Sequence, residues 1–123
     1  MNIEQYRDYC INKKGVTEEF PFDQDTLVFK VMGKMFALTS LQKWESGDHS
    51  INLKCEPDWG QELRTKFTAI VPGYHMSKKH WNTVALNQDV PDKMIFELID
   101  HSYNLVVSGL TKKLQAELEN LPE

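Results

Sequence analysis

Cysteine, glycine and long apolar runs are all scarce in this chain of 123 residues. Two isolated cysteines, Cys10 and Cys55, form neither a disulfide framework nor a zinc-binding set, and both are predicted to be core residues. The 6 glycines are scattered singly, which excludes a phosphate-cradling glycine loop. Met1 to Lys14 lacks the apolar segment of a signal peptide, and no run approaches the ~20 apolar residues needed to span a bilayer. These absences predict a soluble cytoplasmic protein that does not bind membranes.

An excess of basic residues is missing too. Lysine and arginine number 14 against 18 acidic residues, which gives a net charge of -4. Because nucleic acid and anionic membranes repel such a chain, binding to either requires a local basic patch. The 41% hydrophobic content at this length is enough for one core without disulfides or metals, and it predicts a single domain over residues 1–123.

The hydrophobic periodicity predicts an α+β fold. The predicted helices are one that Asn2 caps and Gly15 stops, Glu56 to Phe67 with Pro57 in its first turn, Pro91 to Gly109, and Leu110 to Leu121. The predicted strands are an edge strand at Thr17–Phe22, Leu27–Met32, Met35–Thr39, Ile51–Cys55 and His80–Leu86. The expected order is therefore α-β-β-β-β-α-β-α-α, in a mainly antiparallel sheet flanked by helices.

Three details of these elements bear on the surface. Gly33-Lys34 is predicted to be the two-residue loop of a type II′ hairpin. Residues 40–50 are expected to form a polar connector around Gly47. The stripe of the second helix is expected to be Trp59, Leu63 and Phe67, which recur every four residues.

Local positive charge is highest from Gln61 to Trp81. The basic residues of this window are Arg64, Lys66, Lys78 and Lys79, against Glu62 alone, with His75 and His80 able to add charge below neutral pH. Lys78 and Lys79 are suited to phosphate contacts, while Tyr74, Trp81 and Asn82 are suited to stacking on bases or hydrogen bonding to them. The window therefore indicates a surface for DNA or an anionic ligand.

Each of these residues also has a structural explanation. Tyr74 and Trp81 are of types that commonly pack in a core or at its rim, and adjacent lysines commonly occupy a solvated loop. The Gly33-Lys34 tip, with Lys30 on its stem, is either a projecting nucleic-acid contact or an ordinary tight turn. Both interpretations stay open at the level of sequence.

A set of short motifs resembles the MmcQ/YjbR family of small bacterial proteins over nearly the whole chain. The motifs are Phe20-Pro21-Phe22, Phe29-Lys30-Val31-Met32-Gly33-Lys34-Met35-Phe36-Ala37, Pro72-Gly73-Tyr74-His75-Met76-Ser77-Lys78-Lys79-His80-Trp81 and Ser102-Tyr103. The resemblance implies an α+β sandwich like that of type III secretion chaperones. It also implies a DNA-binding role, proposed for the family from two projecting hairpin "wings", and it implies no catalytic residues or cofactors.

Other functions have weaker support in the sequence. His75 and His80 stand five positions apart without further ligands nearby, so a zinc site is not expected. A nucleophile–base pair of Cys55 and His80 would require the two side chains to lie close together, which the sequence does not show. Cys55 is expected on the inward-facing side of its strand, as a packing residue. Two further alternatives are a protein-interaction module that uses the leucine stripe Leu110 to Leu121, and a small-anion site in the Tyr74 to Trp81 segment. A monomer is favoured.

Overall fold

The computed structural model describes residues 1–73 and 76–122, and over these residues the chain forms one antiparallel sheet with helices. The strands are β1 (Val16–Glu19), β2 (Thr26–Val31), β3 (Lys34–Ser40), β4 (Ser50–Lys54), β5 (Ile70–Pro72) and β6 (Trp81–Ala85). The helices are α1 (Ile3–Ile11), α2 (Leu41–Glu45), α3 (Pro57–Lys66), α4 (Asp92–Ser108) and α5 (Lys112–Glu119). The strand order is β1-β2-β3-β4-β6-β5. The predicted α+β class with an antiparallel sheet is confirmed.

The first helix begins as its sequence predicts. The Asn2 side chain accepts a hydrogen bond from the Gln5 backbone N–H, and the Gln5 side chain accepts one from the Asn2 N–H, each at 2.8 Å. This capping box satisfies two backbone donors that would otherwise lack partners. The helix ends at Ile11, before the predicted stop at Gly15, which instead turns the chain into β1 with a φ of 75°.

The β2–β3 hairpin turns one residue earlier than predicted. Val31 pairs with Lys34, so the loop residues are Met32 and Gly33, with φ angles of 49° and 84°. Two positive φ angles are what a type I′ turn requires, and its twist matches that of the flanking strands. The predicted type II′ loop at Gly33-Lys34 is therefore wrong, because Lys34 already belongs to the ladder.

Two short elements were absent from the predicted order. The predicted connector at residues 40–50 includes α2, whose start Ser40 caps by accepting a hydrogen bond from the Lys43 N–H at 3.3 Å. The edge strand β5 pairs with β6 just before Gly73. Elements of 5 and 3 residues are too short to show a helical or alternating pattern.

The main core lies between one face of the sheet and the helices. It includes the side chains Tyr6, Phe29, Phe36, Ile51, Ile70, Val84, Ile95 and Ile99, none more than 2% exposed. Cys10 and Cys55 belong to it, as predicted. Of the predicted α3 stripe, Leu63 is buried, while Trp59 and Phe67 pack against the core and are only partly buried.

Candidate functional site

The sheet opens where β3 and β4 part. These strands pair at Ala37 with Leu53 and at Leu38 with Asn52. Beyond those pairs the hydroxyl of Ser102, from α4, lies between the strands: it accepts a hydrogen bond from the Lys54 N–H at 2.9 Å and donates one to the Phe36 carbonyl. A side chain thus replaces the ladder, and both backbone groups stay satisfied.

A cleft of about 510 Å³ lies at this end of the sheet. Its apolar side includes Leu105, Val106 and Leu110, from the end of α4 and the residues that follow it. Its aromatic side chains are Trp81 and the 64% exposed Phe22. Because β3 and β4 separate here, residues of α4 and residues on the open face of the sheet line the same cleft.

The polar lining of the cleft is basic. Lys30, Lys34 and Lys54 contribute to it, and none of its described lining residues is acidic. Lys30 forms an ion pair with Glu19, with 3.4 Å between Nζ and Oε1. Neither Lys34 nor Lys54 has an ion-pair partner within residues 1–73 and 76–122. Two ammonium groups are therefore available to an anion.

The turn at residues 76–80 lies at the same end of the sheet as the cleft. Gly73 donates a backbone hydrogen bond to the Trp81 carbonyl at 2.8 Å, and the Ser77 carbonyl accepts from the Trp81 N–H at 2.9 Å. Because β6 begins at Trp81, which pairs with Lys54 at the end of β4, the turn projects beyond the sheet. Its residues Lys78, Lys79 and His80 are exposed.

The predicted site residues thus divide into four groups. Lys34 and Trp81 line the cleft, and Lys78, Lys79 and His80 lie at the same end of the sheet. Arg64, Lys66 and Asn82 lie elsewhere. Tyr74 and His75 fall outside the described residues. Lys54 and Phe22 were not singled out from the sequence as site residues. The outward position of Lys54 in the alternating β4 pattern was the available signal for it.

Asn82 and Arg64 form a contact on the helix-facing side. Asn82 is 3% exposed, and its Oδ1 accepts a hydrogen bond from Arg64 Nη1 at 2.6 Å. An external ligand does not reach a side chain so deeply buried, so these two residues hold α3 against β6. Lys66, at the end of α3, is exposed, with its Nζ 5.6 Å from the centre of the Phe67 ring.

Burial favours the neutral forms of two side chains of reactive type, Cys55 and His101. Burial raises the pKa of the Cys55 thiol to about 11, so it lacks the thiolate character that nucleophiles and metal ligands need. Burial also lowers the pKa of His101, whose Nε2 accepts a hydrogen bond from the Glu56 N–H at 3.0 Å. Among the described residues, no three histidine, cysteine or carboxylate side chains converge to hold a metal ion.

Two other surfaces bear on the predicted partners. In the leucine stripe, Leu110 and Leu118 are each 7% exposed and pack onto the domain, Leu114 is partly buried, and Leu121 is 38% exposed. No helix within residues 1–73 and 76–122 combines the length and apolar character needed to cross a membrane.

The fold and cleft define a small α+β domain with a basic, aromatic-lined surface at one end of its sheet. A family model described as YjbR matches residues 11–105, and the chain belongs to that family. It is 30% identical over 121 residues to the uncharacterized protein YjbR of Escherichia coli K12, covering 98% of this chain and 100% of the relative. It is 40% identical over 96 residues to the uncharacterized protein YbdF of Escherichia coli O157:H7, covering 78% and 76% of the two chains.

Solved structures have the same fold. The crystal structure of Deinococcus radiodurans protein DR2400, with family-model domain DUF419, matches with a TM-score of 0.86 and 41% identity over 98% of this chain and 89% of that one. A Pseudomonas syringae protein matches with a TM-score of 0.72 and 34% identity over 85% and 98% of the chains. The expected family membership is therefore confirmed.

Proposed function

We propose that this protein binds DNA through the cleft between the β2–β3 hairpin and Trp81. The observation that carries the proposal is the convergence of three lysines and two aromatic rings on one concave surface with no acidic side chain among its described lining residues. Ammonium groups bind phosphates, and aromatic rings provide surfaces for bases. The net charge of -4 makes this local concentration of positive charge necessary for any contact with DNA.

The exposed turn at residues 76–80 extends the basic surface. Lys78 and Lys79 lie beyond the start of β6, while Lys34 begins β3. In the sheet β4 separates these two strands, so the two basic segments are two strand spacings apart, roughly 10 Å or more. That separation allows the two segments to contact different, non-adjacent phosphates of one strand.

The test is charge reversal at the cleft with a matched control. Binding of a fluorescein-labelled twelve-nucleotide DNA of mixed sequence, as a single strand and as a duplex, is followed by anisotropy at low salt. Lys34→Glu/Lys54→Glu should abolish most binding. Lys43→Glu/Lys93→Glu makes the same change in net charge at the opposite end, because Lys43 lies in α2, which follows β3, and Lys93 lies in the first turn of α4. It should bind nearly as the parent does.

Salt dependence gives a second readout. Each lysine–phosphate contact that is lost should lower the slope of log affinity against log salt by roughly 0.7 to 0.9. Lys78→Glu/Lys79→Glu should weaken binding less than the cleft pair does, since those side chains lie at its margin. Absence of binding to both DNA forms at low salt, or equal losses in the cleft and control variants, would refute the proposal.

A further inference from the structure

The shape and lining of the cleft bear on which form of DNA it accepts. A duplex presents phosphates on its outside and only the edges of its bases in its grooves, because the base faces are stacked on one another. A protein reads such edges with a helix or a β-ribbon that projects into a groove. Trp81 instead lines a concave surface backed by Leu105, Val106 and Leu110.

We infer that the cleft binds single-stranded DNA, with unpaired bases against Trp81 and Phe22 and phosphates against Lys34 and Lys54; this inference depends on the proposed function. Aromatic side chains beside a basic groove are the means by which proteins hold single strands without reading sequence. A cleft of about 510 Å³ falls in the range of roughly 300–1,000 Å³ that small ligands occupy, so it is large enough to take a base.

The exposure of the two rings supports this assignment. Phe22 is 64% exposed and Trp81 is partly exposed, so both rings are accessible to a base that enters the cleft. Phe20, two positions before Phe22, is also exposed at 48%, but it lines a separate groove beside Ile3 and Arg7 of α1. Phe20 is therefore a matched control for Phe22: both are exposed phenylalanines, but only Phe22 lines the cleft.

The experiment compares a labelled twelve-nucleotide oligothymidylate with a blunt duplex closed by a hairpin loop of polyethylene glycol, at one salt concentration. The single strand should bind about tenfold or more tightly than the duplex. Phe22→Ala and Trp81→Ala should each weaken single-strand binding about five- to a hundredfold, as loss of one base–aromatic stack does, while Phe20→Ala should not. Trp81→Phe should retain most of the affinity.

The outcomes separate the two proposals. Duplex binding as tight as or tighter than single-strand binding would overturn the single-strand inference and leave DNA binding by the cleft intact. Single-strand binding that survives Phe22→Ala unchanged would also overturn it, even if the tryptophan variant failed to fold, since the exposed Phe22 contributes little to folding. Absence of binding to either form would overturn the proposed function itself.

Discussion

The Ser102 hydroxyl accepts a hydrogen bond from the Lys54 backbone N–H at 2.9 Å, and through this bond α4 takes the place of a strand partner for the end of β4. The same hydroxyl donates to the Phe36 carbonyl on β3. One buried side chain therefore sets how far the two strands separate and where the cleft opens. Ser102 is 0% exposed, so its hydroxyl is shielded from solvent.

Ser102→Ala is expected to leave the Lys54 N–H and the Phe36 carbonyl without this partner. The free energy of unfolding should fall by about 2 kcal/mol or more, since an unsatisfied buried polar group costs about 1–3 kcal/mol. Urea unfolding at constant protein concentration measures it. Ser108→Ala, on the exposed end of the same helix, is the control and should change stability by less than about 0.5 kcal/mol. Equal effects of the two substitutions would contradict the structural role of Ser102.

Gly73 is expected to resist substitution because of its close approach to Trp81. A Cβ at Gly73 would lie 2.8 Å from the Trp81 Cβ and 3.1 Å from its carbonyl oxygen, so Gly73→Ala should disturb the hydrogen bond that closes this loop. Thermal unfolding should show a loss of about 1–3 kcal/mol, as for other overpacked sites. At Gly109 an added Cβ would lie 3.5 Å from the Val106 carbonyl oxygen, an ordinary contact, and Gly109→Ala should melt close to the parent. A Gly73→Ala protein as stable as Gly109→Ala would show that the contact is easily relieved.

Trp81→Ala is expected to cost less stability than Trp59→Ala. Trp59 packs against the main core, with its ring centre 4.6 Å from that of His101. Trp81 is paired with Lys54 on the opposite, open face of the sheet. The free energy of unfolding should fall by about 1 kcal/mol for Trp81→Ala and by about 2–3 kcal/mol for Trp59→Ala. Both losses are smaller than that for a fully buried tryptophan, because both side chains are only partly buried. Urea unfolding of both variants decides, and the reverse order would place Trp81 in the core.

The half-buried imidazole of His101 should make stability depend on pH. Burial lowers its pKa below the ordinary value of 6.5, so the unfolded chain binds the proton more readily than the folded protein does. The contribution to stability is therefore complete above pH 6.5 and is lost progressively as the pH falls below that value. His101→Gln should show a smaller fall in the free energy of unfolding on mild acidification than the parent does. Parallel curves for His101→Gln and the parent would count against this linkage.

Regular periodicity explains which parts of the fold were predictable. The alternation of Ile51, Leu53 and Cys55 and the Asn2 cap depend on neighbours in sequence, and both were predicted correctly. The two-residue turn was misplaced because Gly33 suits several turn types, and the pairing of Val31 with Lys34 decides among them. The short elements α2 and β5 depend on contacts with distant parts of the chain.

The cleft was only partly predictable for a related reason. The basic and aromatic composition near Trp81 indicated the end of the sheet at which the cleft lies. The separation of β3 from β4, however, results from Ser102, which is 48 positions from Lys54 in sequence. Without that contact no pattern places Lys34, Lys54 and Phe22 around one cavity, and Asn82 could not be recognised as buried beside Arg64.

DNA binding by the cleft is tested most directly by an amide-shift titration of the isotopically labelled protein with a single-stranded oligonucleotide at low and physiological salt. Shifts should be concentrated at Lys34, Lys54, Trp81 and Gly109, which border the cleft, and should become smaller as salt rises. Lys43 and Lys93, at the opposite end of the molecule, should change little. Shifts centred on that opposite end, or no shifts at low salt, would contradict DNA binding by the cleft.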